Sequence, residues 1–421
     1  MNILILCVGS RGDVQPYLAL GLGLQAAGHT VTLATNTTFE TFVREHGVGY
    51  APLQADFLEM MQTPEGKAAL AGGNPLGLMK QVMPMLRRIL DDATTAARGA
   101  QAIVYHPKAL AGYHLAEKLG IPGFLSLPAP LMTPTRAFPS PVLPPTLKLG
   151  GGFNHFSHAA MLPLTTAPYA GLVNTWRRDV LGLPPRAMFA SELQREGRPV
   201  PVLYCFSREV VPVPADWEAA VQVTGYWFLD EAPHWEPPAE LLRFLESGPA
   251  PVYVGFGSMA TRHPRQTTDM VVAALRQSGQ RGVIAAGWGG LTADALPDSV
   301  FALSAAPHDW LFPRMAAVVH HGGAGTTAAG LRAGRPTVIC PFFGDQPFWG
   351  HRVQTLGVGP QPISQKQLTA ERLAQAIQTA VSDPGMRAQA EALGAKLRAE
   401  DGVGRAVTII SRALEPAGRP S

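Results

Sequence analysis

An apolar run occupies residues 2–9, and a β-rich stretch, Val31-Thr32-Leu33-Ala34-Thr35, follows it. Between them Leu18, Gly21, Leu22 and Ala26 recur at helical spacing until Gly28-His29 stops the pattern. Unbroken apolar runs this short predict strands buried on both faces, and the periodic segment predicts a helix over 14–27. The rhythm continues with a helix near 37–46, strands near 48–53 and 102–106, a helix at 109–119 and strands at 121–127 and 202–207. A second series opens at Pro251. Its strands are predicted near 251–256, 282–286, 300–304, 316–321 and 336–341, and its helices near 266–278, 325–333, 347–356 and 369–382. Strands alternating with helices predict an α/β fold with two parallel, doubly wound sheets.

Two stretches break the rhythm. Residues 54–100 are rich in Met and Leu, and 128–175 begin with a Pro-rich run that ends at Gly150-Gly151-Gly152. Both are expected to be long functional loops. Pro212-Val213-Pro214 and Pro237-Pro238 bracket an aromatic patch, Tyr226-Trp227-Phe228. The expected organisation is a first domain over 1–212, a linker over 213–250, a second domain over 251–385 and C-terminal helices over 386–421.

Composition narrows the function. Hydrophobic residues make up 46% and charged residues 15%, which excludes a disordered chain. A net charge of +3 gives no basic field for nucleic acid. Cys7, Cys205 and Cys340 are few, odd in number and far apart, so neither a disulfide framework nor a cysteine zinc site is expected. Such usage suits a reducing compartment, and the cytoplasm is the expected location. No window approaches ~18 uninterrupted apolar residues, and the N-terminal run reads as a strand rather than a leader.

The segment most specific for chemistry is His320-His321-Gly322-Gly323-Ala324-Gly325-Thr326-Thr327, between a predicted strand and a predicted helix. A glycine-rich turn at a helix N-terminus exposes backbone N–H groups beside the positive end of the helix dipole, which makes an anion cradle. One of the adjacent histidines should face the cradle and the other point away. No Gly-Lys-Ser/Thr follows, and the G-x-G-x-x-G dinucleotide pattern is absent here and at Gly9-Ser10-Arg11-Gly12. No Asp-x-Asp or H-E-x-x-H occurs, so no metal is expected. Asp345-Gln346 follows the next strand and either grips vicinal hydroxyls or caps the helix after it. Ser10-Arg11-Gly12-Asp13 ends the first strand of the other half, where Asp13 is either a site carboxylate or an N-cap. Gly255-Phe256-Gly257-Ser258 holds the equivalent place in the second half.

Together these segments resemble the family 1 nucleotide-sugar glycosyltransferases with the GT-B fold, most of all the sterol 3β-glucosyltransferases. The runs that carry the resemblance are 9–16, 223–230, 307–313 and 320–346, and it spans about residues 10–415. It implies two facing Rossmann-like domains with a C-terminal helix returning to the first. It implies that His321, Gly323, Gly325, Thr326 and Thr327 hold the diphosphate, that Ser258, Ser10, Arg11 and Gly12 lie beside it, and that Pro307 and His308 read the base. Asp345 and Gln346 would hold sugar hydroxyls, and Asp13 would be the general base. Two positions depart from plant members. Ala305 stands where they stack a tryptophan on uracil, and Ala329 where they place a ribose-binding glutamate. The implied co-substrate is UDP-glucose, with a dTDP-sugar the weaker expectation.

The implied reaction is an inverting hexosyl transfer to an apolar alcohol such as a sterol, in which the diphosphate cradle replaces a metal. Acceptor contacts are expected from Phe57, Met60, Met61, Met83, Met132 and Phe138, and the same apolar surface could touch a membrane transiently. A nucleotide-sugar epimerase on this fold, or a non-catalytic sugar-nucleotide-binding partner protein, are the alternatives. The apolar segments argue against the first and Asp13 against the second.

Overall fold

Each unbroken apolar run forms a short parallel strand. The computed structural model describes residues 1–55, 75–187, 190–231, 235–257, 264–285 and 296–415. The first sheet contains β1 (Asn2–Leu6), β2 (Thr30–Asn36), β3 (Gly49–Leu53), β4 (Ala102–Tyr105), β5 (Gly123–Leu127), β6 (Val202–Tyr204) and β7 (Val221–Val223). Their order is β3-β2-β1-β4-β5-β6-β7, all parallel. Ile3 lies opposite both Val31 and Ala102, which fixes the central register. Successive residues of β1 point to opposite faces. Ile3 and Ile5 pack with Val14 and Leu18 of helix α1 (Arg11–Ala26), while Leu4 and Leu6 pack in a second apolar cluster on the other face.

The second sheet contains β8 (Val252–Gly255), β9 (Gly282–Ala285), β10 (Val300–Leu303), β11 (Ala317–His320) and β12 (Thr337–Ile339). Its order is β10-β9-β8-β11-β12, again parallel throughout.

The two stretches expected as loops contain helices. Helix α2 spans Pro75–Ala96, with Pro84 inside it. Val82, Met85, Leu86, Ile89, Leu90 and Ala93 recur at three- and four-residue spacing and are buried in the first domain's core. Helix α3 spans Gly151–Thr166, and Ala170–Trp176 forms a further short helix. The buried Trp176 donates its indole N–H to Thr94 Oγ1 on α2 at 3.2 Å, so the two insertions brace each other.

Within 213–250, β7 extends the first sheet, and a helix at Ala239–Glu246 lays Leu241 against Tyr253 and Val283 of the second. Helix α4 (Ala324–Arg332) follows β11, and α5 (Gln346–Thr355) follows β12. The two domains share apolar contact: Phe348 and Trp349 of α5 belong to the same cluster as Phe206 and Val210. Helix α6 (Pro384–Ala399) packs on α4, and α7 (Gly402–Leu414) crosses back to α1. The return is close because α1 has a glycine there; a Cβ on Gly23 would lie 2.4 Å from Val403 Cγ1. Among the described residues no helix is long and apolar enough to cross a membrane.

Candidate functional site

In each sheet the chain order reverses beside the first strand, between β1 and β4 and between β8 and β11. Open α/β sheets bind ligands at the carboxyl ends of the strands at that point. Residues 9–13 leave β1 there, 106–110 leave β4, Phe256 and Gly257 leave β8, and 321–323 leave β11. The two reversal points face each other. A Cβ on Gly325 would lie 3.9 Å from the Cα and O of Gly12, so α1 and α4 meet end to end at their N-termini.

On the first-domain side, Asp13 Oδ2 accepts from the Ser10 N–H at 2.8 Å and from Ser10 Oγ–H at 3.0 Å. This closes the N-terminus of α1 with its own carboxylate. Oδ1 accepts from Lys108 Nζ at 2.5 Å. Burial on its own would raise the Asp13 pKa, but the Lys108 ammonium beside it and the Ser10 N–H bring it below the ordinary carboxylate value. Gly9 takes φ +142, and a Cβ there would lie 2.3 Å from Asp13 Oδ2, so only glycine lets the carboxylate fold back.

On the second-domain side the two histidines separate. His320 is fully buried, and its Nδ1 accepts the Gly322 N–H at 2.9 Å, which braces the turn. His321 is partly exposed and lies between two glycines. A Cβ on Gly323 would be 2.5 Å from its Nε2, and one on Gly257 would be 3.0 Å from its Cε1. Burial pushes His321 down to about 4, so the ring is neutral at pH 7 and carries one N–H. Its Nδ1 and the Thr327 hydroxyl are buried without a hydrogen-bond partner among the described residues. Gly323 stands at the N-cap of α4, and no side chain caps that helix. The first N–H groups of α4 are therefore left for an outside anion.

Asp345 stands at the N-cap of α5 but does not cap it; its Oδ2 accepts the Trp349 indole N–H at 2.8 Å. Burial raises its pKa, and the nearby Asp13 charge adds to the rise. Gln346 Oε1 accepts the N–H groups of Phe342 (2.7 Å) and Phe343 (3.3 Å), which shapes the loop before α5. Pro307 stands at the N-cap position of the short helix His308–Leu311. The His308 ring stacks on Phe312 at 4.2 Å, and burial, with Arg11 and His321 nearby, pushes it down to about 4. Ala305, at the position of the missing tryptophan, is exposed. Arg11 pairs with Glu231 Oε1 at 2.5 Å, and the Glu231 N–H donates to Asp309 Oδ2 at 3.0 Å. That relay ties α1 to the interdomain segment and on to the second domain.

The candidate acceptor residues scatter. Phe138 lines a cavity of ≈ 600 Å³ between the domains, with Leu143, Val211, Phe348, His351 and Arg352. Met132 is buried in the first domain's core, and Met83 packs half-buried against it. Phe57, Met60, Met61 and Ser258 lie outside the described residues. Sequence reasoning missed Lys108, His106 and the bracing role of His320. A basic residue just past an apolar strand was the available signal for Lys108. Among the described residues no group of three His, Cys, Asp or Glu could hold a metal ion.

Residues 3–139 match the glycosyltransferase family 28 N-terminal domain, and residues 283–406 match the erythromycin biosynthesis protein CIII-like C-terminal domain. A sterol 3-beta-glucosyltransferase of Arabidopsis thaliana is 40% identical over 428 residues, covering 99% of this chain and 68% of the relative. One from Emericella nidulans is 40% identical over 431 residues, covering 99% of this chain and 30% of the relative. This chain thus spans about a third of the length of such fungal relatives. Among solved structures, the kitacinnamycin glycosyltransferase superposes with a TM-score of 0.73 at 22% identity, covering 98% of this chain and 99% of that one. The calicheamicin glycosyltransferase CalG4 gives 0.66 at 19% identity, covering 98% of each. The architecture is the GT-B glycosyltransferase fold.

Proposed function

The chain belongs to the sterol 3-beta-glucosyltransferase family, and from that premise we propose that it transfers a hexose from a nucleotide-diphospho sugar to an apolar alcohol, inverting the anomeric carbon. UDP-glucose is the favoured co-substrate over a dTDP-sugar, and a sterol or related polycyclic or phenolic compound is the favoured acceptor. The observation that carries this reading is the meeting of two helix N-termini across the cleft, one closed by Asp13 and one open. The open end suits a diphosphate; the closed end presents a carboxylate to whatever lies beside that diphosphate.

In this reading the N–H groups of 323–326, the α4 dipole and the His321 N–H take up the charge that develops on the leaving diphosphate. Asp345 and Gln346 hold the sugar, Pro307 and His308 border the base, and Ser10, Arg11 and Gly12 line the diphosphate. Asp13 accepts the acceptor's hydroxyl proton. A carboxylate of lowered pKa is a weak base, so the proton moves late, in concert with attack on the anomeric carbon. The cavity beside Phe138 supports an apolar acceptor. The exposed Val142, Leu149 and Phe156 near it support transient contact with a membrane surface on the cytoplasmic side.

The test is to incubate the chain with UDP-glucose or dTDP-glucose and a panel of sterols, phenols, sugars and amino acids. Product is read by mass, and its anomer by proton NMR. Retained configuration rejects inversion, and transfer confined to sugars or amino acids rejects the apolar acceptor.

A further inference from the structure

Lys108 makes the shortest polar contact at Asp13, 2.5 Å against 2.8 and 3.0 Å for the two from Ser10. Its backbone is held in place. After β4, the His106 Nδ1 accepts the Lys108 N–H at 3.1 Å, and the turn Pro107–Ala109 closes at Leu110 with φ +58, a left-handed conformation rare for leucine. His106 is buried and meets Tyr17 edge-on at 6.1 Å, and the Tyr17 hydroxyl donates to the Ser126 carbonyl at 2.6 Å. A rigid base therefore aims a long, more than half-exposed side chain at one oxygen of Asp13. The two oxygens have separate partners: Oδ2 is bound to the start of α1, and Oδ1 meets the ammonium.

We propose that Lys108 is a positioning residue for the transfer reaction: its ammonium keeps Asp13 ionised and aims Oδ1 at the acceptor hydroxyl, sharing that oxygen with it. The proposal rests on the reading of Asp13 as the base. Of the other titratable groups around Asp13, His106 also acts to lower its pKa, by less than Lys108, and its ring is charged only in acid. Burial pushes His106 down to about 3, leaving it neutral, and pushes the Cys7 thiol and the Tyr17 phenol up, leaving them neutral too. Asp345 is a like charge across the cleft. Burial lowers the Lys108 pKa and the two carboxylates raise it, with a net rise, so the ammonium persists between the domains. Without it, burial acts to raise the Asp13 pKa and so to protonate the carboxylate.

The experiment compares Lys108→Met, Lys108→Arg and Asp13→Asn with the wild type. It records the pH profile of kcat/KM with UDP-glucose and cholesterol, and the Asp13 carboxyl titration by carbon NMR. In Lys108→Met the carboxyl midpoint and the acid limb should both rise by about 1–3 pH units, the usual effect of losing an adjacent opposite charge. KM for UDP-glucose should hold, and Lys108→Arg should titrate like the wild type. An unmoved midpoint in Lys108→Met overturns the role of Lys108 alone. A midpoint that moves while the acid limb stays overturns its part in the reaction. Near-wild-type turnover in Asp13→Asn overturns the reading of Asp13 as the base, and the proposal with it.

Discussion

Helices α1 and α4 enter the cleft by their N-termini and treat the same positive end differently. Both follow a central strand through a glycine-containing turn, with Gly9 before one and Gly322 and Gly323 before the other. In α1 the carboxylate of Asp13 folds back onto Ser10 and fills the terminus. In α4 the cap is glycine, the neighbouring histidine is neutral, and no side chain among the described residues caps the exposed N–H groups. Glycine content alone does not separate an anion site from a closed helix end; capping does. A turn with its own anion has no vacancy for a second, whereas an uncapped turn beside it does.

The largest expected effect comes from neutralising the closed end. Asp13 stands at the third position of α1, and an asparagine amide oxygen there can still accept from Ser10, so Asp13→Asn should melt close to the wild type while kcat falls about 10²–10⁴-fold, the range for a general base. A variant that melts several degrees lower with turnover intact would make Asp13 a cap only. Next in size is the open end. His321→Ala should weaken UDP binding about 10- to 100-fold, the worth of one hydrogen bond to a charged group, measured by titration calorimetry. His320→Ala should instead lower the melting temperature, because it leaves the Gly322 N–H buried without its partner. Equal losses of UDP affinity in the two variants would erase the difference between the histidines.

A smaller effect is expected where neither helix end is involved. Phe138→Ser should lower kcat/KM on a sterol about tenfold, as polar groups in apolar pockets do, while a small phenol is nearly unaffected. Parallel loss on both acceptors would mean that Phe138 supports the fold and not the acceptor. The smallest effect is none. Excess EDTA should leave transfer unchanged if the open end of α4 meets the diphosphate charge without a cation.

How legible each side was in the sequence follows the same division. The strands at 2–6, 252–255 and 317–320 could be read because central parallel strands are unbroken apolar runs. The open turn was visible because glycines, histidines and threonines stand together within eight residues. The insertions were misread as loops. Pro84 lies inside α2 and a run of three glycines stands at the start of α3, and both signals say "break" to a local reading, yet packing against the core keeps α2, and hydrogen bonds of Asn154, Ser157 and His158 to residues 136–140 hold α3. Strand β7 has three residues, too few to show a period, and is fixed by pairing with β6. The Asp13–Lys108 contact joins residues 95 positions apart and is set by β1 lying beside β4. No spacing rule reaches that far.

The crossing of α7 onto α1 bears on the order in which the molecule is made. The helix that carries Asp13 leaves the ribosome well before the helix that covers its outer face through Val403, Ala406 and Ile410. About 380 residues separate them, so at ~5–20 residues per second α1 waits on the order of 20–80 s with that face bare. During this interval the first sheet can pair, but the domain around it stays unfinished, and a sticky surface is open to chaperones or to other chains. A chain stopped at residue 400 should therefore bind a hydrophobic dye and aggregate even though both sheets are present. If it stays monomeric and dye-negative, α7 is a late addition that the first domain does not need.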